Sequence, residues 1–120
     1  MPAHPRVNDI LAFWFGDRTD PDYGKYRKVW FIKNAAFDEQ IRQHFLAATQ
    51  KAAAGEYNDW QMEAESAVAL LLLLDQFPRN LYRNDPHSFA TDRKALAVAQ
   101  ALVDAGADTK LIPAMRVFVY

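Results

Sequence analysis

The polar residues with the clearest chemical potential follow the leucine run that ends at residue 74. They are Asp75, Gln76, Arg79, Asn80 and Arg83. A carboxylate in the last turn of an apolar helix is unfavourable unless it is paired, because the helix dipole and the loss of water both oppose its charge. We therefore expect Asp75 to be held by Arg79 or Arg83, since arginine can grip a carboxylate through two parallel hydrogen bonds.

This polar cluster has two interpretations. In the first, its side chains line a pocket that binds a small acidic or amide-bearing ligand. In the second, they form a buried network that ends the central helix, with Arg79 neutralising Asp75 and Asn80 bonding the freed backbone groups. Catalysis needs an acid–base pair or a nucleophile, and neither stands out in the cluster. The sequence leaves open whether the protein is an enzyme.

Other residue types with catalytic or ligand-binding potential occur without the spacing that such chemistry needs. The three histidines share no spacing, cysteine is absent, and no G-x-S-x-G motif surrounds a serine. The four glycines are scattered and form no phosphate-binding loop. Residues 85–92 contain Asp, His, Ser and Thr in a pattern typical of turns and caps. We expect no metal site and no cofactor.

A second polar segment, residues 18–33, interleaves basic with aromatic side chains. These are Lys25, Arg27, Lys28 and Lys33 with Tyr23, Tyr26, Trp30 and Phe31. Such a combination can bind single-stranded nucleic acid. Neighbouring aspartates offset the positive charge, however, and the whole chain carries a formal charge of −1. We expect no nucleic-acid partner, and we expect Trp30 and Phe31 to anchor this loop on the core.

Helices must position these residues, because Ala and Leu are abundant, Gly is scarce and runs of β-branched residues are nearly missing. The first predicted helix has Asn8 as its N-cap and ends at Gly16. Its buried face is predicted to contain Ile10, Leu11 and Trp14. A polar loop is predicted over residues 17–28.

The second predicted helix has Asn34 as its N-cap and stops at Gly55. Three- and four-residue steps predict its buried stripe at Phe37, Ile41, Phe45, Ala48 and Ala52. Asp38 lies off this stripe, where it can form a surface pair with Arg42.

The third predicted helix covers residues 64–76 and is apolar on every side over residues 68–74, so it should lie at the centre of the fold. Pro78 is predicted to end it. Thr91 is the predicted N-cap of a fourth helix that ends at Gly106. The predicted buried stripe of that helix is Leu96, Ala99, Leu102 and Val103.

The C-terminal segment begins a last predicted helix at Pro113 and is strongly apolar. Its candidate interface residues are Met115, Val117, Phe118 and Tyr120. One interpretation is an interface with a second copy or another protein. The other is a final core helix of the same chain. We expect a homo-oligomer.

The length of 120 residues, with 51% hydrophobic and 24% charged residues, predicts one domain over residues 1–120. Its fold class is predicted as all-α, an antiparallel array of about five helices. No signal peptide is evident, and the longest apolar run, residues 67–74, is far shorter than the about 20 residues of a membrane span. We therefore expect a cytoplasmic protein with no membrane partner.

A resemblance to a known family rests on the run Leu-Leu-Leu-Asp-Gln-Phe-Pro-Arg-Asn at residues 72–80. Supporting matches are Phe13-Trp14-Phe15-Gly16, Trp30-Phe31, Trp60 and Phe89-Ala90-Thr91-Asp92. The chain resembles the bacterial family called domain of unknown function 924. The resemblance implies an all-helical, tetratricopeptide-like fold and no established activity, substrate or cofactor. Family members usually continue beyond the point matching residues 116–120, with a Pro-Phe step and a His-Ser-Glu motif that this sequence lacks, so it resembles a short member.

Three functions remain open at this point. A tetratricopeptide-like interaction module would bind a protein or peptide, and it predicts an exposed concave face lined by successive helices. A small-molecule binding protein or enzyme predicts that Asp75, Arg79 and Asn80 point into a pocket, and that Arg79→Ala costs little stability. A structural, self-associating protein predicts that Arg79→Ala costs several kcal/mol, because a buried Asp75 would lose its partner.

Overall fold

The leucine-rich run forms the centre of the fold. A computed structural model describes residues 7–30, 34–83 and 85–119. Helix α3 (Ala64–Leu71) continues through a π-helical turn (Leu72–Gln76) into helix α4 (Phe77–Leu81), and these three elements together are called the central rod. Its residues 68–74 are at most 2% exposed. The prediction of a central helix that is buried on every side is confirmed.

Pro78 does not end this rod as predicted, because it lies inside it. Phe77 has the helical angles φ −63° and ψ −41°, and its N–H donates to the carbonyl of Leu72, five residues earlier. The wider π turn gives the proline ring room beside the preceding turn. Proline has no N–H for the carbonyl of Leu74, and the hydroxyl of Thr91 donates to that carbonyl instead. A distant side chain thus replaces the missing backbone donor.

Helix α2 (Ala35–Ala53) packs against the rod with the face that its sequence predicts. The side chain of Asn34 accepts a hydrogen bond of 3.0 Å from the N–H of Phe37, as an N-cap does. The whole predicted stripe is buried. Gly55 follows the helix with φ +91°, a left-handed conformation that glycine adopts without strain. The predicted cap, stripe and stop are confirmed.

Helix α1 (Val7–Phe15) buries Ile10, Leu11 and Trp14, as predicted. Asn8 lies within the helix, so its predicted role as the N-cap is wrong. Gly16 follows the last residue with φ +92°. Helix α1 therefore presents its aromatic residues to the central rod.

The segment after α1 folds back onto the end of that helix. Arg27 Nη1 donates to the carbonyls of Phe13 and Trp14 at 2.9 and 2.8 Å, and Trp30 Nε1 donates to the carbonyl of Trp14 at 2.8 Å. These bonds satisfy carbonyls that have no partner within the helix. The predicted anchoring of Trp30 is confirmed, whereas Phe31 lies outside the described residues.

Helix α5 (Asp92–Asp104) packs against the rod through a face next to the predicted one. It buries Ala95, Val98 and Leu102, whereas Leu96 is 68% exposed and Val103 is 38% exposed. The helix carries apolar residues on two adjoining faces, and periodicity does not distinguish which face meets the core. The predicted burial of Leu96 and Val103 is therefore wrong.

The ends of α5 also differ from the prediction in one respect. Thr91 precedes the helix but makes no side-chain capping bond to it, because its hydroxyl bonds the carbonyl of Leu74. Gly106, with φ +70°, follows the helix and confirms the predicted stop.

Helix α6 covers Pro113–Arg116, whereas residues 117–119, which the sequence predicts to continue this helix, form a turn. Met115 is 1% exposed. The ring of Phe118 lies with its centroid 5.0 Å from that of Trp30 and 5.5 Å from that of Trp14. The end of the described chain therefore closes over the aromatic residues of α1 and its loop.

The described residues contain no β-strand, so the predicted all-α class is confirmed. If the central rod counts once, they contain five α-helical segments, in agreement with the prediction. Short 3-10 turns occupy Lys28–Trp30, Asn58–Met62, Pro86–Phe89 and Ala107–Lys110. Within the described ranges, no helix is both long and apolar enough to cross a bilayer. The single domain and the tetratricopeptide-like arrangement stay predictions.

We expect Thr91→Val to lower the free energy of unfolding by about 1–2 kcal/mol, because the carbonyl of Leu74 then loses its donor inside the protein. Thr91→Ser keeps the hydroxyl and should retain most of that stability. Urea denaturation of the three proteins measures the difference. Equal stability of Thr91→Val and wild type would contradict the role given to this hydroxyl.

Candidate functional site

The polar residues singled out in the sequence divide between two neighbours of the central rod. Asp75, Gln76 and Arg79 face the start of α5, whereas Asn80 and Arg83 face α2. The sequence places all five within nine residues, but a helix turns its side chains to different sides. They therefore form two separate clusters rather than one site.

Arg79 is the centre of the first cluster. Its Nη1 donates to the carbonyl of Asp75 at 3.0 Å and to the carboxylate of the same residue. Its Nη2 lies 3.1 Å from each carboxylate oxygen of Asp92. The ring of Phe89, which is mostly exposed, lies 5.0 Å from the guanidinium carbon. The expected pairing of Asp75 with Arg79 is confirmed, and α5 supplies a second carboxylate that the prediction did not include.

The electrostatics of this first cluster follow from its partial burial. Burial raises the pKa of Asp75 above its ordinary value, and the charge of Asp92 acts in the same direction, while Arg79 opposes the rise. One guanidinium beside two ionised carboxylates leaves one net negative charge. The cluster therefore attracts a cation rather than an anion.

The second cluster joins the rod to α2. The carboxylate of Asp38 accepts hydrogen bonds from Asn80 Nδ2 at 2.8 Å and from Arg83 Nε and Nη2 at 2.6 and 3.2 Å. The bond to Asp38 raises the pKa of Arg83. Asn80 thus binds a carboxylate and not the freed backbone groups that we expected. The predicted Asp38–Arg42 pair is replaced, since Arg42 pairs with Glu39 at 3.6 Å.

The first cluster opens into a groove of about 490 Å³ beside α5. We call it the α5 groove. Its polar end is formed by Asp75, Gln76, Arg79 and Asp92, and its apolar walls include Leu96, Ala99, Val117 and Phe118. The groove therefore joins a charged end to an apolar channel between α5 and the C-terminal turn.

The candidate interface residues at the C-terminus have different environments. Met115 is buried in the core of its own chain, as the core-helix interpretation requires. Val117 is 38% exposed and, with Phe118, forms a wall of the α5 groove. Tyr120 lies outside the described residues. An interface with a second copy stays a prediction.

The turn before α5 contains the other residues with catalytic potential. The carboxylate of Asp85 accepts from the N–H of His87 at 2.9 Å and lies 2.8 Å from its Nδ1. This is the capping chemistry that the sequence predicts for the segment. Among the described residues, no three His, Cys, Asp or Glu side chains are arranged to hold a metal ion.

Sequence reasoning missed the two carboxylates that complete the clusters. Asp92 is separated from Arg79 by 13 residues, and Asp38 is separated from Arg83 by 45. Both lie in the first turn of a helix, where acidic residues are common for local reasons. Nothing in their spacing indicates a partner on the central rod.

We expect Arg79→Ala to lower the free energy of unfolding by about 1–2 kcal/mol at neutral pH, because two carboxylates then face each other without a cation. This is less than a fully buried pair would cost, since the side chain of Arg79 is 37% exposed. Urea denaturation measures the change. Arg93→Ala, which removes an exposed arginine from α5, is the control.

The stability that Arg79→Ala loses relative to wild type should depend on pH. Removing Arg79 raises the pKa of Asp75 further, so the folded variant holds the proton of Asp75 more tightly than the unfolded chain does. The difference in unfolding free energy between wild type and Arg79→Ala is therefore largest above the pKa of Asp75 in the folded variant, and it shrinks as the pH falls below that pKa. A deficit equal to that of Arg93→Ala at every pH would contradict this description of the cluster.

Comparisons with known proteins agree with the resemblance found in the sequence. A family model described as bacterial protein of unknown function, DUF924, matches residues 10–120. A solved structure of a protein of unknown function from Agrobacterium tumefaciens is similar, with 40% sequence identity and a TM-score of 0.82. The match covers 95% of this chain and 60% of that chain, so this chain spans about three-fifths of that protein's length. No curated protein matches. The chain belongs to the DUF924 family of bacterial proteins of unknown function.

Proposed function

We propose that this protein is an interaction module that binds an amphipathic helical segment of another polypeptide in the α5 groove. The observation that carries this proposal is the second apolar face of α5. Leu96, Ala99 and Val103 recur at steps of three and four residues, and two of them are substantially exposed. Val117 and Phe118 border the same face. An apolar strip at helical spacing is the surface against which another helix packs.

The distribution of exposed apolar side chains supports the same location. Leu96 and Val117 line the groove, and Phe89 contacts Arg79 at its polar end. These three belong to the exposed large hydrophobic residues of the described chain. Concentration of such residues around one groove is typical of an interaction surface, whereas single exposed apolar residues are common everywhere.

A small acidic ligand is less well supported by this geometry. The guanidinium of Arg79 is already engaged by two carboxylates, and the net charge of the polar end is negative. Asn80, the other donor proposed for such a ligand, faces α2. The groove therefore lacks the uncompensated positive charge that an anionic ligand requires.

A polypeptide partner also fits the form of the groove. The channel is lined by the π turn of the central rod, by α5 and by the C-terminal turn, so several elements contribute to it. The tetratricopeptide-like fold implied by the family resemblance would use such a face.

We expect a library of displayed helical peptides, selected on the wild-type protein, to yield sequences that depend on α5. Replacing both Leu96 and Val103 by Gln should weaken the selected peptides at least about tenfold, because about two apolar contacts are lost without a change of charge. Replacing Ala97 and Ala101 by Gln is the matched control, since both residues are exposed on α5 away from the groove. Fluorescence anisotropy measures each Kd.

Two outcomes would overturn the proposal. In the first, the selection yields no peptide whose affinity differs between the α5 variant and its control. In the second, light scattering shows that the wild-type protein is a dimer and that the Leu96 and Val103 replacements make it monomeric. A second copy of the chain, rather than a foreign segment, would then occupy the groove.

A further inference from the structure

We infer that the helical segment bound in the α5 groove runs antiparallel to α5 and places a lysine or arginine side chain at the polar end of the groove. This inference rests on the proposed function and specifies the partner of the same surface. The charge of the groove and the order of residues along α5 carry it. Each contributes a separate restriction on the partner sequence.

The charge of the polar end selects a cation. Asp75 and Asp92 share the single guanidinium of Arg79, so the three side chains keep one negative charge when both carboxylates are ionised. These side chains are only partly exposed, and a bound helix would remove further water from them. An uncompensated charge becomes more costly in such surroundings. A cationic side chain from the partner would balance it.

The exposed ring of Phe89 lies beside this polar end, but its attraction for a cation is already used by Arg79, whose guanidinium carbon lies 5.0 Å from the ring centroid. The two carboxylates therefore carry the preference for a cation. An anionic partner side chain would meet two carboxylates there, and like charges brought together oppose binding.

The spacing along α5 determines the register of the partner. Asp92, Leu96, Ala99 and Val103 follow one another along one side of the helix at steps of four, three and four residues. A helix lying antiparallel to α5 meets them in reverse order, from Val103 to Asp92. Its apolar residues then fall at positions i, i+4 and i+7, and its cation falls at i+11. The residue at i+4 faces Ala99 and has room to be large.

The direction of the partner follows from helix dipoles. Asp92 lies in the first turn of α5, so the polar end of the groove is at the N-terminal end of that helix. A basic side chain is most favourable in the last turn of a helix, where the dipole is negative. An antiparallel partner brings its own last turn to Asp92, whereas a parallel partner would bring its first turn. In the antiparallel direction, the basic side chain therefore lies both in the favourable last turn of the partner helix and at the polar end of the α5 groove.

Four synthetic peptides of sixteen residues test this inference. All have leucine at i, i+4 and i+7 in an Ala- and Gln-rich helix. The first three peptides differ only at i+11, where they have Lys, Gln and Glu, respectively. The fourth has its Lys at i−4, which lies beyond the other end of the three leucines. Fluorescence anisotropy at low salt gives the Kd of each peptide for the wild-type protein.

We expect the Lys peptide to bind about tenfold more tightly than the Gln peptide and more tightly still than the Glu peptide. The peptide with Lys at i−4 should bind no better than the Gln peptide. Raising the salt concentration to about 0.5 M should reduce the preference for Lys to less than about threefold, because salt screens partly exposed charges.

Two protein variants test which end of α5 causes the tighter binding of the Lys peptide. Asp92→Asn removes one carboxylate from the polar end and should abolish the difference between the Lys and Gln peptides. Asp104→Asn makes the same substitution at the other end of α5, where the side chain is exposed, and should leave the difference intact. Thermal unfolding monitored by circular dichroism verifies that both variants are folded.

The outcomes separate this inference from the function on which it rests. If the four peptides bind equally, and all lose affinity when Leu96 and Val103 are replaced, the interaction function stands and the inference is overturned. If the peptide with Lys at i−4 binds most tightly, the antiparallel direction is wrong. If Asp104→Asn removes the preference and Asp92→Asn does not, the cation binds elsewhere. If no peptide binds, the inference fails, and the display selection decides the proposed function separately.

Discussion

The carbonyl of Leu74 imposes the constraint on which much of this structure depends. Pro78 cannot donate to it, and an unpaired carbonyl in the centre of the protein would be costly. The hydroxyl of Thr91 supplies the missing donor, and this bond has two consequences. It allows the central rod to continue through the proline, and it holds the beginning of α5 against the rod. Asp92, the next residue, is thereby brought to Arg79.

The two polar clusters show how one short motif can serve two purposes. Around Asp38, three donor atoms from Asn80 and Arg83 surround one carboxylate and join α2 to the rod. That cluster is architectural, since charge and hydrogen bonding are both balanced within it. Around Arg79, two carboxylates share one cation, and the cluster lies at the end of an open groove. The imbalance of charge in the second case supports a role in binding.

Helix α5 connects the core to the proposed binding surface because it has apolar residues on two adjoining faces. Ala95, Val98 and Leu102 pack inside, and their burial stabilises the fold. Leu96 and Val103 lie on the neighbouring face and contribute little to the core of the described chain. This second apolar face is the observation that supports the proposed interaction most directly.

The sequence by itself determined the all-α class, the buried central run, and the cap, stripe and stop of α2, because each depends on residues within a few helical turns. It also determined the family, and it limited the partner of Asp75 to Arg79 or Arg83; the structure shows Arg79, its neighbour on one helix face. Tertiary structure decided that the central rod continues past Pro78, that Asn80 and Arg83 bind a different helix from Arg79, and which face of α5 is buried. These depend on Thr91, Asp92 and Asp38, which are distant in sequence from their partners. Local patterns carry no information about such partners, since the packing of helices brings them together.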